Sequence, residues 1–198
     1  MAKIGVLGPK GRVGSFLVAN GCIPVDVNIA NKKELEIASL DDYDVVINCA
    51  AITDVDSCQH PEGKTTQDYL NAVMVNSRAL DYIRSSFSGR LIHISTDYVF
   101  KGDKGPYIEN DKRDPVNDYG WTKLGGEINL ETYPEDLETV IVRTTGLYGS
   151  ERDFGYYVWS RLNGGYDVPA SKELCGNQTY IPHFCEALMF LAHVEEME

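Results

Sequence analysis

Short apolar runs bounded by turn residues alternate along this chain with stretches whose apolar residues recur at helical spacing. The first pattern is typical of buried strands and the second of helices with one face on the core. The runs predict strands at residues 3–7, 22–29, 44–49, 90–95 and 139–143. The periodic stretches predict helices at residues 13–19, 35–40, 66–87, 118–133, 154–162 and 181–194. Because strands and helices alternate, the fold class is expected to be α/β, with a doubly wound, mostly parallel sheet.

Turn residues interrupt this pattern at several points. Pro61 and Gly63 mark a turn, and Pro134 is expected to end the helix that holds residues 118–133. The polar stretch 101–117 is predicted to be a loop, and the tail 195–198 is predicted to be frayed.

A glycine-rich segment, Gly-Pro-Lys-Gly-Arg-Val-Gly over residues 8–14, joins the first strand to the first helix. Strand, glycine loop and helix in this order are what a dinucleotide-binding loop requires. The glycines let the backbone turn tightly beside a pyrophosphate, and the helix N-terminus offers free amides to that anion. A plain glycine-rich turn is the alternative, and the flanking elements favour binding.

Charged residues near the end of the second strand bear on the choice of cofactor. Asp26 is placed where a carboxylate often binds an adenosine ribose hydroxyl, whereas Lys32 and Lys33 could meet a 2′-phosphate. All three could equally be surface charges. This region leaves NADH and NADPH both open.

Two further segments lie close to the crevice expected at the C-terminal ends of the strands. The small-residue loop 50–56 follows the third strand, where ligand-binding loops of open parallel sheets lie. Asn76 lies in the predicted helix 66–87, either solvated or pointing into the site. His93 is interior to an apolar run, which favours a packed core histidine over a catalytic one.

The clearest candidate chemistry is Tyr119-Gly-Trp-Thr-Lys123, with Asn117 or Asp118 as the cap of its helix. Residues four apart lie on one face of a helix, and a nearby ammonium is expected to lower the pKa of a phenol. Such a pair can exchange a proton with a carbonyl or alcohol oxygen. The motif is common by chance, but Ser95 and Thr96 end an apolar strand nearby in the expected fold and strengthen it.

Composition narrows the class of protein. The chain has 198 residues and a net charge of −12, which suits one domain and argues against nonspecific binding to nucleic acid or an anionic membrane surface. No apolar run is long enough to span a membrane, and the N-terminus enters a strand without a signal-peptide core, so a cytoplasmic location is expected. The five cysteines are scattered without Cys-x-x-Cys spacing, which favours reduced core thiols over disulfides or a metal site.

Taken together, these motifs resemble the extended short-chain dehydrogenase/reductases and, more narrowly, the dTDP-4-dehydrorhamnose reductase group. The matching stretches cover most of residues 3–150: the glycine loop 8–14, residues 46–56, Asn76, Ile-His-Ile-Ser-Thr-Asp-Tyr-Val-Phe over 92–100, Pro-Tyr-Ile-Glu over 106–109, Tyr-Gly-Trp-Thr-Lys-Leu-Gly-Gly-Glu over 119–127, and Val-Arg-Thr-Thr-Gly-Leu-Tyr-Gly over 142–149. The resemblance implies a Rossmann-like fold and an NADPH- or NADH-dependent reductase of a 4-keto nucleotide sugar.

The resemblance also implies roles for individual residues. Thr96, Tyr119 and Lys123 match the family's catalytic hydroxyl, tyrosine and lysine, and Asn76 its supporting polar network. Tyr119 would supply the proton, Lys123 would bind the nicotinamide ribose, and Thr96 would bond the substrate oxygen. Together with Asp26, the predicted cofactor-binding residues are Gly8, Gly11, Arg12, Val13, Gly14, Ala50, Ala51, Thr53, Tyr119 and Lys123.

Past residue 149 the resemblance thins. Residues 1–150 are expected to form the dinucleotide-binding core, and residues 151–198 a short substrate-side segment of the same compact domain. The reduced C-terminal segment leaves open an epimerase or dehydratase of the same superfamily, or an inactive cofactor-binding regulatory subunit. A nucleotide-sugar substrate is the expected partner, and a homodimer is an open alternative to a monomer.

Overall fold

A computed structural model describes residues 2–60, 65–132, 137–150, 153–169 and 176–194. Five parallel strands form one sheet in the order β2-β1-β3-β4-β5. These strands are β1 Ile4–Leu7, β2 Ile23–Val25, β3 Val45–Asn48, β4 Arg90–Thr96 and β5 Glu138–Thr144. A short parallel pair, β6 Leu147–Tyr148 and β7 Thr179–Tyr180, lies apart from this sheet.

Seven α-helices connect and cover the strands in the described part of the chain. They are α1 Arg12–Ala19, α2 Lys32–Ile37, α3 Gln67–Val73, α4 Ala79–Ser85, α5 Asp118–Glu131, α6 Phe154–Asn163 and α7 Ile181–His193. Within those described residues, no helix has both the length and the apolar character needed to cross a bilayer.

Alternate residues of each strand face opposite layers of helices, as the two-residue repeat of a strand requires. In β3, Val45 and Ile47 belong to the core formed with α1 and α7, whereas Val46 belongs to the core formed with α2, α4 and α5. Both faces of the sheet are therefore covered, and the predicted doubly wound, mostly parallel, Rossmann-like fold is confirmed.

The second strand and the helix after it differ from their predicted bounds. β2 ends at Val25 because the chain then turns, with the amide of Val27 donating to the carbonyl of Val25. Asn31 caps α2 by accepting from the amide of Lys33, so the helix begins earlier than the apolar pattern indicated.

The helix predicted over 66–87 begins as expected but changes pitch midway. Thr66 caps α3 by accepting from the amide of Tyr69, and a π-helical segment, Met74–Arg78, joins α3 to α4. Asn117 proves to be the cap of α5, because its side chain accepts from the amide of Gly120.

Some sequence predictions fall outside the described residues. These are the turn at Pro61 and Gly63, the helix stop at Pro134, the thiol of Cys175 and the tail 195–198.

Candidate active site

A cleft of about 280 Å³ opens at the C-terminal ends of the central strands. It is bounded by the glycine loop, the loop after β3, the end of β4, helix α5 and the segment that joins β5 to β6. Of the predicted site residues, those lining it are Gly11, Arg12, Val13, Ala51, Thr53, Thr96, Tyr119 and Lys123. The fold therefore brings the three predicted catalytic residues and part of the glycine loop to one crevice.

Gly8 and Gly14 hold the glycine loop against the sheet. Gly8 has a φ of +73°, and a Cβ there would come within 2.7 Å of the backbone of Ala50. A Cβ on Gly14 would lie 2.2 Å from the carbonyl oxygen of Gly8. A Cβ on Gly11, in contrast, would meet its nearest atom at 3.4 Å, so this position faces the cleft with room to spare. The glycines thus have two different roles, close packing and access.

The N-terminus of α1 lies at the cleft, which Arg12 and Val13 line. No side chain caps the helix, and no acidic residue lies in its first turn. Because the first amides of a helix lack partners within the helix, this end is suited to an anion. The guanidinium of Arg12 donates to the carbonyl of Leu147 at 3.0 Å, and both residues line the cleft.

Asp26 lies outside this cleft, on the exposed side of the glycine loop. Its carboxylate forms an ion pair with the ammonium of Lys10 at 2.6 Å, and both side chains are exposed. Lys32 is paired with Glu36 at 3.7 Å. The ribose-binding role of Asp26 stays a prediction.

Asn76 holds the loop that follows β3. Its side chain accepts from the amide of Ile52 and donates to the carbonyl of the same residue, both at 2.9 Å. It also donates to the hydroxyl of Thr122 at 3.0 Å, and it is 1% exposed. Asn76 is therefore a buried member of a supporting polar network and not a solvated helix residue.

Tyr119 is buried at the floor of the cleft. Its ring meets that of Tyr98 edge to face, with centroids 5.7 Å apart. Burial raises the pKa of Tyr119 to about 12, although a hydrogen bond with the side chain of Thr96 opposes the shift. At neutral pH the phenol is therefore protonated and can donate.

Lys123 is buried one helical turn after Tyr119, and its hydrogen-bond partners lie on strand β4. Its amine donates to the carbonyl of Ile94 at 2.7 Å and lies 3.4 Å from Nε2 of His93. Burial lowers the pKa of Lys123 to about 8. The expectation that this ammonium lowers the pKa of Tyr119 is wrong for this geometry, because desolvation of the phenol outweighs any favourable charge.

His93 is a buried core histidine, as predicted, but it is not isolated from the site. Its Nδ1 lies 3.1 Å from the side-chain nitrogen of Asn48, and its Nε2 faces the amine of Lys123. Burial, and secondarily the charge of Lys123, lowers the pKa of His93 well below its usual range.

A buried carboxylate, Glu127, was missed as a functional candidate. It is fully buried and accepts from Arg143 at 2.9 and 3.0 Å, from Arg113 at 2.9 Å and from the hydroxyl of Ser95 at 2.5 Å. Burial alone would raise the pKa of Glu127, but these hydrogen bonds lower it overall. The available signal was its spacing, since Glu127 is four residues after Lys123 on the same helical face. The network connects α5 and β5 to the residue next to Thr96.

The thiols and acidic groups show no metal centre in the described part of the chain. Cys22, Cys49, Cys58 and Cys185 are free. Among the residues with described positions, no group of three His, Cys, Asp or Glu side chains could hold a metal ion.

Comparison with known proteins decides the family. The model of the RmlD substrate binding domain family matches residues 2–197. The chain belongs to this family. A dTDP-4-dehydrorhamnose reductase of Mycobacterium tuberculosis (strain CDC 1551 / Oshkosh) is 38% identical over 161 residues, which are 75% of this chain and 49% of that protein.

Solved structures of RmlD-like proteins share the fold described above. The crystal structure of a hypothetical dTDP-4-dehydrorhamnose reductase from Sulfolobus tokodaii is 29% identical, with a TM-score of 0.81 over 96% of this chain and 71% of that one. A dTDP-4-dehydrorhamnose reductase from Bacillus anthracis, solved in complex with NADP, is 25% identical, with a TM-score of 0.84 over 98% of this chain and 71% of that one.

The RmlD relatives are longer than the part they share with this chain. The chain spans about half the length of the Mycobacterium relative that it matches. The residues that the family model matches include the glycine loop and the Tyr119–Lys123 helix, which both line the cleft.

Proposed function

We propose that this chain is an NAD(P)H-dependent reductase of a 4-keto deoxy nucleotide sugar. The observation that carries the proposal is the meeting of Thr96, Tyr119 and Lys123 in one cleft with the uncapped N-terminus of α1. Membership of the RmlD family and the names of the relatives point to the same reaction.

The residues present fit a dinucleotide. Arg12 and Val13 offer backbone amides to a pyrophosphate, Arg12 adds a cation, and Gly11 leaves the space that the pyrophosphate needs. The hydroxyl of Thr144 also lines the cleft and is buried without a hydrogen-bond partner in the described part of the chain, so it is available to a ligand. When bound, the nicotinamide ring supplies a hydride to the ketone carbon. The Bacillus anthracis relative binds NADP, which favours NADPH, and NADH stays open.

Residues of the chain would supply the proton that the ketone oxygen takes up. Tyr119 is protonated at neutral pH and would donate its proton to the ketone oxygen as that oxygen gains charge. Thr96 would hold the same oxygen by a hydrogen bond, since it lines the same cleft as Tyr119. Lys123, one helical turn after Tyr119, would bind the nicotinamide ribose.

The division of labour along the chain belongs to the same proposal. Residues 1–150 would carry the cofactor and residues 151–198 the substrate side, although α7 packs against α1 in the core. A nucleotide sugar would be the partner. A cytoplasmic location and a homodimer stay predictions.

The first test is the loss of nicotinamide absorbance with NADH or NADPH against a panel of 4-keto-6-deoxy nucleotide sugars. We expect turnover in the wild type and a loss of at least about 100-fold in Tyr119→Phe, because general acid catalysis is typically worth that much. Cofactor affinity should be retained in the variant. Full activity in Tyr119→Phe would remove the proton-donor role. Tight cofactor binding without turnover in the wild type would favour a regulatory subunit.

A second test separates the two classes of glycine. Gly11→Val should keep the fold but weaken NADPH binding by about 100-fold or more, because its side chain would occupy the space of the pyrophosphate. Gly14→Val is the matched control and should lose thermal stability, because its Cβ meets the carbonyl of Gly8. Unchanged NADPH affinity in Gly11→Val, measured by fluorescence titration, would show that the loop is not the cofactor site.

A further inference from the structure

The hydrogen bonds around the buried trio Asn48, His93 and Lys123 fix which of their groups donate. The amide of Ala50 donates to Oδ1 of Asn48 at 3.1 Å, which leaves the side-chain nitrogen of Asn48 facing Nδ1 of His93 at 3.1 Å. An amide nitrogen can only donate, so Nδ1 of His93 must accept and carries no proton.

The tautomer of His93 then follows. A neutral imidazole with a bare Nδ1 carries its hydrogen on Nε2, and Nε2 lies 3.4 Å from the amine of Lys123. An ammonium has only N–H groups to present there, so it would oppose this N–H. A neutral amine has a lone pair that can accept it, while it still donates to the carbonyl of Ile94 at 2.7 Å.

We propose that His93, oriented by Asn48, is a positioning residue that donates a hydrogen bond from Nε2 to Lys123 and favours its neutral amine. The inference deepens the proposed function, since it assigns a residue that regulates the protonation of the predicted catalytic lysine. His93 is not among the residues that line the cleft, and it acts through Lys123, which does line it.

The other groups near Lys123 do not oppose this arrangement decisively. Glu127 on α5 and Cys49 after β3 both favour the charged lysine, yet burial prevails and lowers the pKa of Lys123 to about 8. The carboxylate of Glu127 is engaged by Arg113 and Arg143, which offsets its charge. Tyr119 is protonated and contributes no charge at neutral pH.

The proposal implies a lysine that takes up its proton late. Near pH 8 the amine of Lys123 is divided between its two forms. Negative charge arriving in the cleft, from a pyrophosphate or from the phenolate left after Tyr119 has donated, would draw a proton from solvent to this amine. Because its pKa is about 8, Lys123 is already mostly charged at pH 7, and this uptake would make it fully charged.

The test is NMR on the intact chain and needs no turnover. In wild type labelled with 15N-histidine, His93 should show the Nε2–H tautomer across neutral pH. Its signal is assigned by its loss in His93→Gln. In protein labelled with 13Cε-lysine, Lys123 should titrate near pH 8.

Two amide variants form a matched pair for the lysine titration. Gln at position 93 places a donor where Nε2 was, so His93→Gln should keep the Lys123 midpoint. Asn is one methylene shorter and reaches only Asn48, so His93→Asn should raise the midpoint by about one pH unit, the tenfold change expected from one lost hydrogen bond.

Several results would overturn the inference. An Nδ1–H tautomer or a protonated His93 in the wild type would do so, even if both variants failed to fold. Equal midpoints in His93→Asn and the wild type would do the same. The expected tautomer and midpoints without any reductase activity would support the hydrogen bond to Lys123 and count against the proposed function alone.

Discussion

Helices α5 and α6 make opposite use of their side chains. α5 carries Lys123, Glu127 and other polar residues, yet eight of its residues are buried. α6 carries Phe154, Trp159 and Leu162, and none of its residues is buried; these three are 64%, 60% and 61% exposed. Burial in this chain follows position relative to the sheet, because α5 packs against β4, where its buried polar groups Lys123 and Glu127 find partners on β4 and β5.

The two helices differ in how much of their side-chain surface is buried against the rest of the chain. The polar groups of α5 form bonds within the described structure, from Glu127 to Arg143 and from Lys123 to Ile94. No residue of α6 belongs to a hydrophobic core cluster in the described part of the chain. Changes on α5 should therefore alter the free energy of unfolding strongly, and changes on α6 should not.

The largest expected effect comes from the buried carboxylate of α5. Glu127→Gln should lower the free energy of unfolding by about 3–5 kcal/mol, the usual cost of leaving one side of a buried ion pair uncompensated. Arg143 would lose its charged partner, whereas Arg113 would keep its ion pair with Glu131. Urea unfolding at pH 7 measures the loss.

The pH dependence of that loss has a definite sign. Because the pKa of Glu127 is lowered in the fold, its contribution is present above its unfolded pKa of about 4.5 and is lost as pH falls through the folded value. The difference in free energy of unfolding between wild type and Glu127→Gln should therefore become smaller at acidic pH. A gap that is constant with pH would show that shape, and not charge, carries the effect.

The next effect on α5 has the opposite direction. Lys123 has a folded pKa lowered from 10.5 to about 8, so the unfolded chain binds its proton more tightly. Lys123→Met should raise the free energy of unfolding at pH 7 by up to about 3 kcal/mol, from the cost of a buried charge. This gain should shrink as pH rises from about 8 toward 10.5, where both states are neutral.

Thermal unfolding at pH 7 and pH 10 tests the Lys123 prediction. A variant that is less stable than wild type at pH 7 would show that the hydrogen bond to Ile94 outweighs the burial of the charge.

The smallest effect is expected on α6. Trp159→Ser should change the free energy of unfolding by no more than about 0.5 kcal/mol, as exposed positions usually do. Leu80→Ala on α4 is the control, since Leu80 is fully buried and its loss should cost about 2–5 kcal/mol. A Trp159→Ser variant as destabilised as the control would break the contrast, because it would mean that α6 is covered in solution.

Four of the five sheet strands, and the meeting of Thr96, Tyr119 and Lys123 in one cleft, were predictable from the sequence because they depend on local signals. Apolar runs placed β1, β3, β4 and β5 to within about two residues, and the motifs of Thr96 and Tyr119 placed them at one crevice. The roles assigned to the site residues stay predictions.

What sequence reasoning missed depends on contacts between distant parts of the chain. The partners of Glu127 come from β4, β5 and the loop between β4 and α5, and no local pattern reports them. The pKa of Tyr119 was predicted in the wrong direction because spacing gives proximity to Lys123 but not the desolvation that decides the shift. The apolar period that predicted α6 could not show whether its face would be covered.

The wide turn at Met74–Arg78 has a consequence for how this chain tolerates insertions and deletions. A π segment holds one residue more than an α-helical turn. Here it orients Asn76 so that its side-chain amide bonds both the N–H and the C=O of Ile52, as the backbone of an adjacent strand would. Removing Val75 would restore the α-helical pitch and rotate Asn76 by about 100°. The loop after β3 would then lose the two hydrogen bonds that the Asn76 side chain makes to the backbone of Ile52. Every residue that lines the cleft would still be present.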